Sequence, residues 1–362
     1  MLANMSDELF RLEHWPMPDS HPTPGATLPR RRLGRLPITV TALGLGGAPL
    51  GDLYAILDEE AAIETVTTAL DLGIGLIDTS PLYGHGLSEH RIGATLRRRP
   101  GIKPLISTKI GRVMEPFSFR HDGSGYLGGL RHAARFDYSY DGAMRSLEQS
   151  ALRLGVDRFD IVHIHDVDIW THGTDMIEQR FGEAMDGAYR ALDDLRRAGT
   201  IRAVGLGVNE AEMCERFARA GDFDVMMLAG RYSLLEQPAL ARFMPLALER
   251  GIGLLLGGIF NSGILATGPV AGARYNYREA PPDILEKVRR IEAVCAAHGV
   301  KLADAALHFA LAHPAVASVV MGAVRPAEVE AQVHALRAVP PSSLWEDLKR
   351  TRLLAEEAPI PA

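Results

Sequence analysis

Cysteine is nearly absent: Cys214 and Cys295 are the only two in 362 residues. Both fall in helix-like stretches, so neither a disulfide framework nor a zinc site is supported, and no metal is expected. That usage fits a reducing cytoplasm. Long apolar runs are missing as well. The best, GIGLLLGGIF at 251–260, falls far short of a membrane span. Positive charge is in deficit, with 39 Lys and Arg against 45 Asp and Glu. The resulting charge of −6 leaves no footprint for nucleic acid or an anionic membrane, so a small-molecule partner is expected. The first residues lack the basic start and apolar core of a secretory signal. Proline recurs through 16–29, which predicts a poorly ordered or surface-wrapping arm over 1–34, with Trp15 as a candidate anchor. No G-x-G-x-x-G opens a helix after a first strand, which argues against a Rossmann domain. GLGG at 44–47 resembles that motif superficially, and its glycines suit close backbone approach.

What is present is an alternation. Hydrophobic residues at 47% and charged residues at 23% describe an ordinary globular chain, long enough for two domains or one α/β barrel. Strand-like runs fall near 41–46, 74–78, 104–109, 160–165, 201–208, 224–229, 252–257 and 316–321. Helical spacing falls near 59–72, 88–98, 140–154, 182–198, 210–220, 237–250, 282–298 and 326–336. Asp58 and Gly73 bracket the first helix as start and stop. Eight such units with short connections predict a (β/α)8 TIM barrel of the α/β class over 35–362. PPSSLWEDLKRTRLL adds a C-terminal helix. One connection is long, Arg112 to Tyr138 after strand three. It reads as a substrate lid carrying Phe117, Phe119, Tyr126 and Phe136.

Four polar residues stand at the ends of these runs: Asp78, Tyr83, Lys109 and His165. In a parallel barrel such positions gather at one mouth. A phenol can move a proton, and a neighbouring ammonium favours the phenolate. A carboxylate can hold that ammonium, and an imidazole can orient a substrate oxygen. His163, two residues before His165 on the same face, reads as a hydrogen-bonded core histidine.

DTSPLYGHGLSEHRIG at 78–93, STKIG at 107–111 and IHDVD at 164–168 resemble, in order and local sequence, the motifs of the aldo-keto reductase family. The resemblance spans about 35–336. GLGGAPLG, DYSYDGAMRSLEQSALRLG and AGRYSLLEQ resemble its bacterial aldose (L-fucose/D-threo-aldose) 1-dehydrogenase and pyridoxal 4-dehydrogenase branch. The resemblance implies catalysis by Asp78, Tyr83, Lys109 and His165 with NAD or NADP lying across the ends of strands five to eight. It implies Asn209 on the carboxamide and Tyr232 under the nicotinamide, though Ala229 replaces a common glutamine. Gly258, Phe260, Ser262 and Gly263 would meet the pyrophosphate. Gly322, Arg325, Glu328 and Gln332 would lie on the adenosine side, with Gly47 lining the mouth. Glu328 suits a ribose and repels a 2′-phosphate, which favours NAD, while Arg325 could pair with phosphate. The implied activity is oxidation of an aldose hemiacetal, fucose- or arabinose-like, to a lactone. Pyridoxal oxidation to 4-pyridoxolactone, general NADPH-dependent aldehyde reduction and a non-catalytic nucleotide-binding subunit remain alternatives. A monomer or small homo-oligomer is expected.

Overall fold

Branched and apolar residues pair eight short strands in parallel, and the sheet closes on itself. The computed structural model describes residues 27–117, 125–276 and 278–361. The barrel strands are β1 (Leu43–Gly46), β2 (Leu76–Asp78), β3 (Leu105–Ile110) and β4 (Phe159–His165). They continue as β5 (Ile201–Val208), β6 (Val225–Ala229), β7 (Gly253–Gly257) and β8 (Val316–Gly322). β8 pairs back onto β1, Val319 beside Leu43. All eight lie where the hydrophobic runs placed them.

Side chains alternate along each strand, so one parity fills the barrel and the other packs under the helices. Leu76, Ile161, Ala203, Met227, Leu255 and Ala317 form an inner cluster. The bottom of that cluster is plugged by an antiparallel hairpin, Arg30–Arg32 with Thr39–Thr41, which inserts Leu33, Ile38 and Val40. Its turn needs Gly34, at φ 55. A Cβ there would meet Gly251 O at 2.3 Å. The hairpin begins inside the stretch read as the arm, and Trp15 lies outside the described residues.

Besides the single turn Ile264–Thr267, two longer helices escaped the sequence pattern. Ile169–Glu183 precedes the expected 182–198 helix and runs into it through a π-helical turn, Ala184–Tyr189. Leu302–Ala312 follows Pro282–Ala297 before β8. It buries nearly every residue, so it has no polar face to set a helical period. The 237–250 run is helical only from Phe243 to Arg250, after a 3-10 turn. The C-terminal helix is Ser342–Arg350. Among the described residues no single helix is long and apolar enough to cross a membrane.

The long third connection is not structureless. Arg112–Glu115 pairs antiparallel with Ala133–Phe136, and Tyr126 bridges to Leu53 beyond β1. Phe117 is exposed and Phe136 lies under Arg112, so of the expected lid aromatics only Tyr126 approaches Tyr83, ring centroids 6.2 Å apart. Phe119 lies outside the described residues.

Candidate active site

Parity places the first group. Asp78, Lys109 and His165 share the inward phase of Leu76, Leu105 and Ile161, and they form the layer above the inner cluster. Lys109 Nζ donates to Asp78 Oδ2 at 2.5 Å and to Thr79 O at 2.9 Å. Ser107 Oγ donates to Asp78 Oδ1 at 2.7 Å. Asp78 and Lys109 are 2% and 1% exposed. Burial pushes the Asp78 carboxyl above the usual carboxylate range, and Lys109 and Ser107 oppose that push. A buried ion pair with its remaining valences filled is a rigid fixture.

Tyr83 is carried over this pair by the turn after β2. Gly84 and His85 take φ 63 and 52, reversing the chain into the helix Leu87–Arg98. A Cβ on Gly84 would strike Gly51 O at 2.5 Å, so the turn packs on the β1 loop only with glycine. Glu89, fully buried, accepts from Thr108 and Arg153 and seats that helix against β3. Lys109 Nζ lies 4.9 Å from the Tyr83 ring centroid. The His165 ring stands edge-on to Tyr83, centroids 6.1 Å apart at 86°.

His165 is 8% exposed. Its Nδ1 lies 3.2 Å from Ser80 Oγ and 3.4 Å from Arg112 Nη1. A guanidinium only donates, so Nδ1 accepts and the ring proton sits on Nε2. Burial, then Arg112, then Lys109 push this imidazole well below its usual range, which keeps it neutral. His163 is wholly buried below, and a Cβ on Gly205 would lie 2.2 Å from its Nδ1. It is a core residue, as expected. Its polar contact is with the Leu206 backbone, short of good hydrogen-bond geometry at either ring nitrogen.

The ends of β5 to β8 differ in kind. Asn209 follows β5, its N–H and Nδ2 both donating to Asp168 Oδ2 at 2.8 and 3.2 Å. A Cβ added at Gly257 would find its nearest neighbour, Ala229 Cβ, at 4.0 Å; at Gly230 the nearest is 3.9 Å away. Gly263 has nothing within 4 Å. Between them Gly258, Asn261, Ser262 and Gly263 all take positive φ, and Asn261 is tied to Glu236 at 2.9 Å. Phe260 leans half-buried on the core. This glycine-lined cradle and its outward backbone suit a flat, phosphate-bearing dinucleotide, so the residues fit the implied cofactor.

Beyond β8 the loop is held by its own charges. Glu328 accepts from Val324 N at 2.9 Å and from Arg325 Nη2 at 3.1 Å. Gln332 Nε2 donates to Gly322 O at 2.9 Å.

Two expectations change. Tyr232 is 1% exposed, its ring against Phe309 and His313 at 5.0 and 5.7 Å. No face is open for a nicotinamide, so it is a core aromatic. Gly47 is also a packing residue, because a Cβ there would meet Ser88 Oγ at 2.5 Å. The sequence reading passed over Ser107, Asp168, Arg112 and Asp166. Ser107 shares Lys109's parity, a usable signal. Arg112 opened a stretch read as loop, and nothing in its neighbours marks it as buried.

Comparison with known proteins shows the family to which the chain belongs. The sequence model of the aldo/keto reductase family matches residues 42–351. A pyridoxal 4-dehydrogenase of Microbacterium luteolum is 39% identical over 90% of this chain and 98% of its own length. A D-threo-aldose 1-dehydrogenase of a Pseudomonas species is 35% identical, covering 88% and 95%. The solved holo form of an aldo-keto reductase from Bacillus halodurans is similar in structure, with a TM-score of 0.71 and 25% identity over 91% of this chain and 99% of that one.

Proposed function

Because this chain belongs to the aldo/keto reductase family, we propose that it oxidises the C1 hemiacetal hydroxyl of a fucose- or arabinose-like aldose to a lactone, using NAD in preference to NADP. The observation that supports this most is the buried Asp78–Lys109 pair beneath Tyr83, with a neutral His165 edge-on beside it. Tyr83 takes the hydroxyl proton on its phenol oxygen. Lys109 favours the phenolate, and Asp78 fixes Lys109. His165 donates from Nε2 to the reacting oxygen and orients it. When bound, the nicotinamide supplies the hydride acceptor for the C1 hydrogen, which leaves a carbonyl at C1 and the ring oxygen in place.

Asn209 is the candidate for the carboxamide. Gly258, Phe260, Ser262 and Gly263 are candidates for the pyrophosphate, and Gly322, Arg325, Glu328 and Gln332 for the adenosine side. Glu328, at the start of helix Pro326–Arg337, favours a ribose with free hydroxyls. A monomer or small homo-oligomer is proposed, and cysteine usage points to the cytoplasm.

The pyridoxal reading has its own support in the 39% identical pyridoxal 4-dehydrogenase. Pyridoxal also closes to a cyclic hemiacetal and presents the same kind of hydroxyl. A panel of L-fucose, D-arabinose, pyridoxal and simple aldehydes, followed by nicotinamide absorbance in both directions, separates the two. The highest kcat/KM is expected on an aldose with NAD. A clear lead for pyridoxal would replace the sugar reading, and a lead for simple aldehydes with NADPH would replace both.

A further inference from the structure

Arg112 and Asp166 stand beside the reaction centre; the chemistry above uses Arg112 only to set the tautomer and charge of His165 and gives Asp166 no part. They extend the strands that carry Lys109 and His165, and their side chains are 8% and 13% exposed. Arg112 Nη2 forms an ion pair with Asp166 Oδ2 at 2.8 Å. The other side of the guanidinium rests 4.3 Å from the Phe136 ring centroid. Asp166 holds a left-handed φ of 55, a costly conformation for a residue with a side chain. Its N–H donates to Gly207 O at 2.9 Å. Its carboxylate Oδ1 lies 3.3 Å from His165 Nε2.

We infer that Asp166, held in place by Arg112, recognises substrate by accepting a hydrogen bond from a hydroxyl on the carbon next to the reacting one; this rests on the dehydrogenase reading above. A carboxylate can only accept. In this structure Oδ2 is ion-paired with Arg112, and Oδ1 lies 3.3 Å from Nε2 of His165, the nitrogen that carries the N–H. A substrate oxygen that takes this N–H removes the donor from Oδ1. A buried acceptor without a donor is penalised, so the site selects a molecule that brings its own. Two oxygens each about 3 Å from one nitrogen can sit about 3 Å apart, the spacing of neighbouring hydroxyls on a carbon chain. The ring form of an aldose offers such a hydroxyl at C2, as does the carbon next to the carbonyl of a 2-hydroxyaldehyde. A simple aldehyde has none.

The test uses substrate pairs that differ only in that hydroxyl. One pair is an aldose and its 2-deoxy counterpart with NAD; the other is glyceraldehyde and 3-hydroxypropanal with NADH. Hydrogen bonds to charged groups predict that wild type prefers the hydroxylated member by about 10- to 100-fold in kcat/KM. Asp166→Asn, which tolerates a left-handed backbone, and Asp166→Gly should each collapse the ratio to within about threefold. Arg112 is a positioning residue. Arg112→Met should raise KM for the hydroxylated member more than it lowers kcat. An undiminished ratio in Asp166→Asn, with normal melting and NADH binding, overturns the inference. So does a wild type with no preference in either pair, whatever the variants do. If no aldose is turned over, the sugar reading fails, while the aldehyde pair still decides the role of Asp166.

Discussion

At the ends of β2, β3 and β4 the barrel mouth is built of charged groups that satisfy one another. At the ends of β6 to β8 it is built of glycine. The first side holds Asp78 with Lys109, Arg112 with Asp166 and Glu89 with Arg153, all nearly buried. The second offers Gly230 and Gly257, where an added Cβ would meet no atom closer than 3.9 Å, and Gly263, where it would reach open space. Groups that move a proton must be held at fixed positions before substrate arrives, and buried hydrogen-bonded pairs do that. A large flat cofactor needs backbone donors and room, which missing side chains supply. Substitutions on the two sides should therefore fail in opposite ways, the first in turnover and the second in nucleotide affinity.

The largest effect is expected at Tyr83. Tyr83→Phe removes the proton carrier and little volume, so kcat should fall by about 10²-fold or more with nucleotide binding kept. Lys109→Met should do likewise, but it also strands Asp78 in the core, at a cost of about 3–5 kcal/mol in stability. Asp78→Asn combined with Lys109→Met should recover melting temperature without recovering turnover. Near-normal rates in Tyr83→Phe, measured by nicotinamide absorbance on the best substrate, would end the proposed mechanism.

The glycine side gives the reciprocal outcome. Gly257 shares the inward parity of Leu255 and has no positive φ, so the backbone accepts a side chain there. Gly257→Leu should fold normally, fill the cradle and raise the KM or Kd for NAD about tenfold or more. A variant that melts like wild type and binds nucleotide equally well would move the cofactor away from β7. A third, smaller effect concerns the long third connection. Replacing 117–130 by a short turn removes Tyr126 while leaving Arg112 and Phe136 paired. Substrate KM and preference should then shift severalfold, with nucleotide affinity little changed. An unchanged substrate profile in a folded protein would make that segment an inert insertion.

The same contrast explains what the chain made legible. Asp78, Lys109 and His165 were readable because each is an ionisable residue in the inward phase at or near the C-terminal end of its strand, and parity survives any detail of packing. The barrel was readable for the same reason. Tyr232 was not. GRYSLL fixes where the tyrosine lies along the chain, but Phe309 and His313, far off in sequence, decide that its ring turns into the core. Leu302–Ala312 was lost because a helix buried on all sides carries no period. Arg112 and Asp166 were lost because burial of a charge pair depends on both partners, and each alone resembles a solvated loop residue.

The smallest expected effect lies where the two designs meet, in the loop beyond β8. There a charged pair, Arg325 with Glu328, sits on the glycine side of the mouth. The competing sequence arguments treated the two as rivals, one drawing a phosphate and the other repelling it. In the structure they are partners: Arg325 is committed to Glu328 Oε1, while Oε2 holds Val324 N. A 2′-phosphate approaching Arg325 must compete with this carboxylate and its charge, which supports the proposed preference for NAD. The pair is exposed, with side chains 74% and 37% accessible, and solvent screening keeps such contacts modest. Glu328→Arg removes the repulsion and adds a second guanidinium, so the NADP/NAD ratio of kcat/KM should rise severalfold to about tenfold. Glu328→Gln, which keeps an acceptor for Val324 N, should give a smaller rise and separates charge from loop support. A wild type that already prefers NADP would show that Arg325 leaves Glu328 for the phosphate, and Arg325→Ala would then be the variant that turns the enzyme toward NAD.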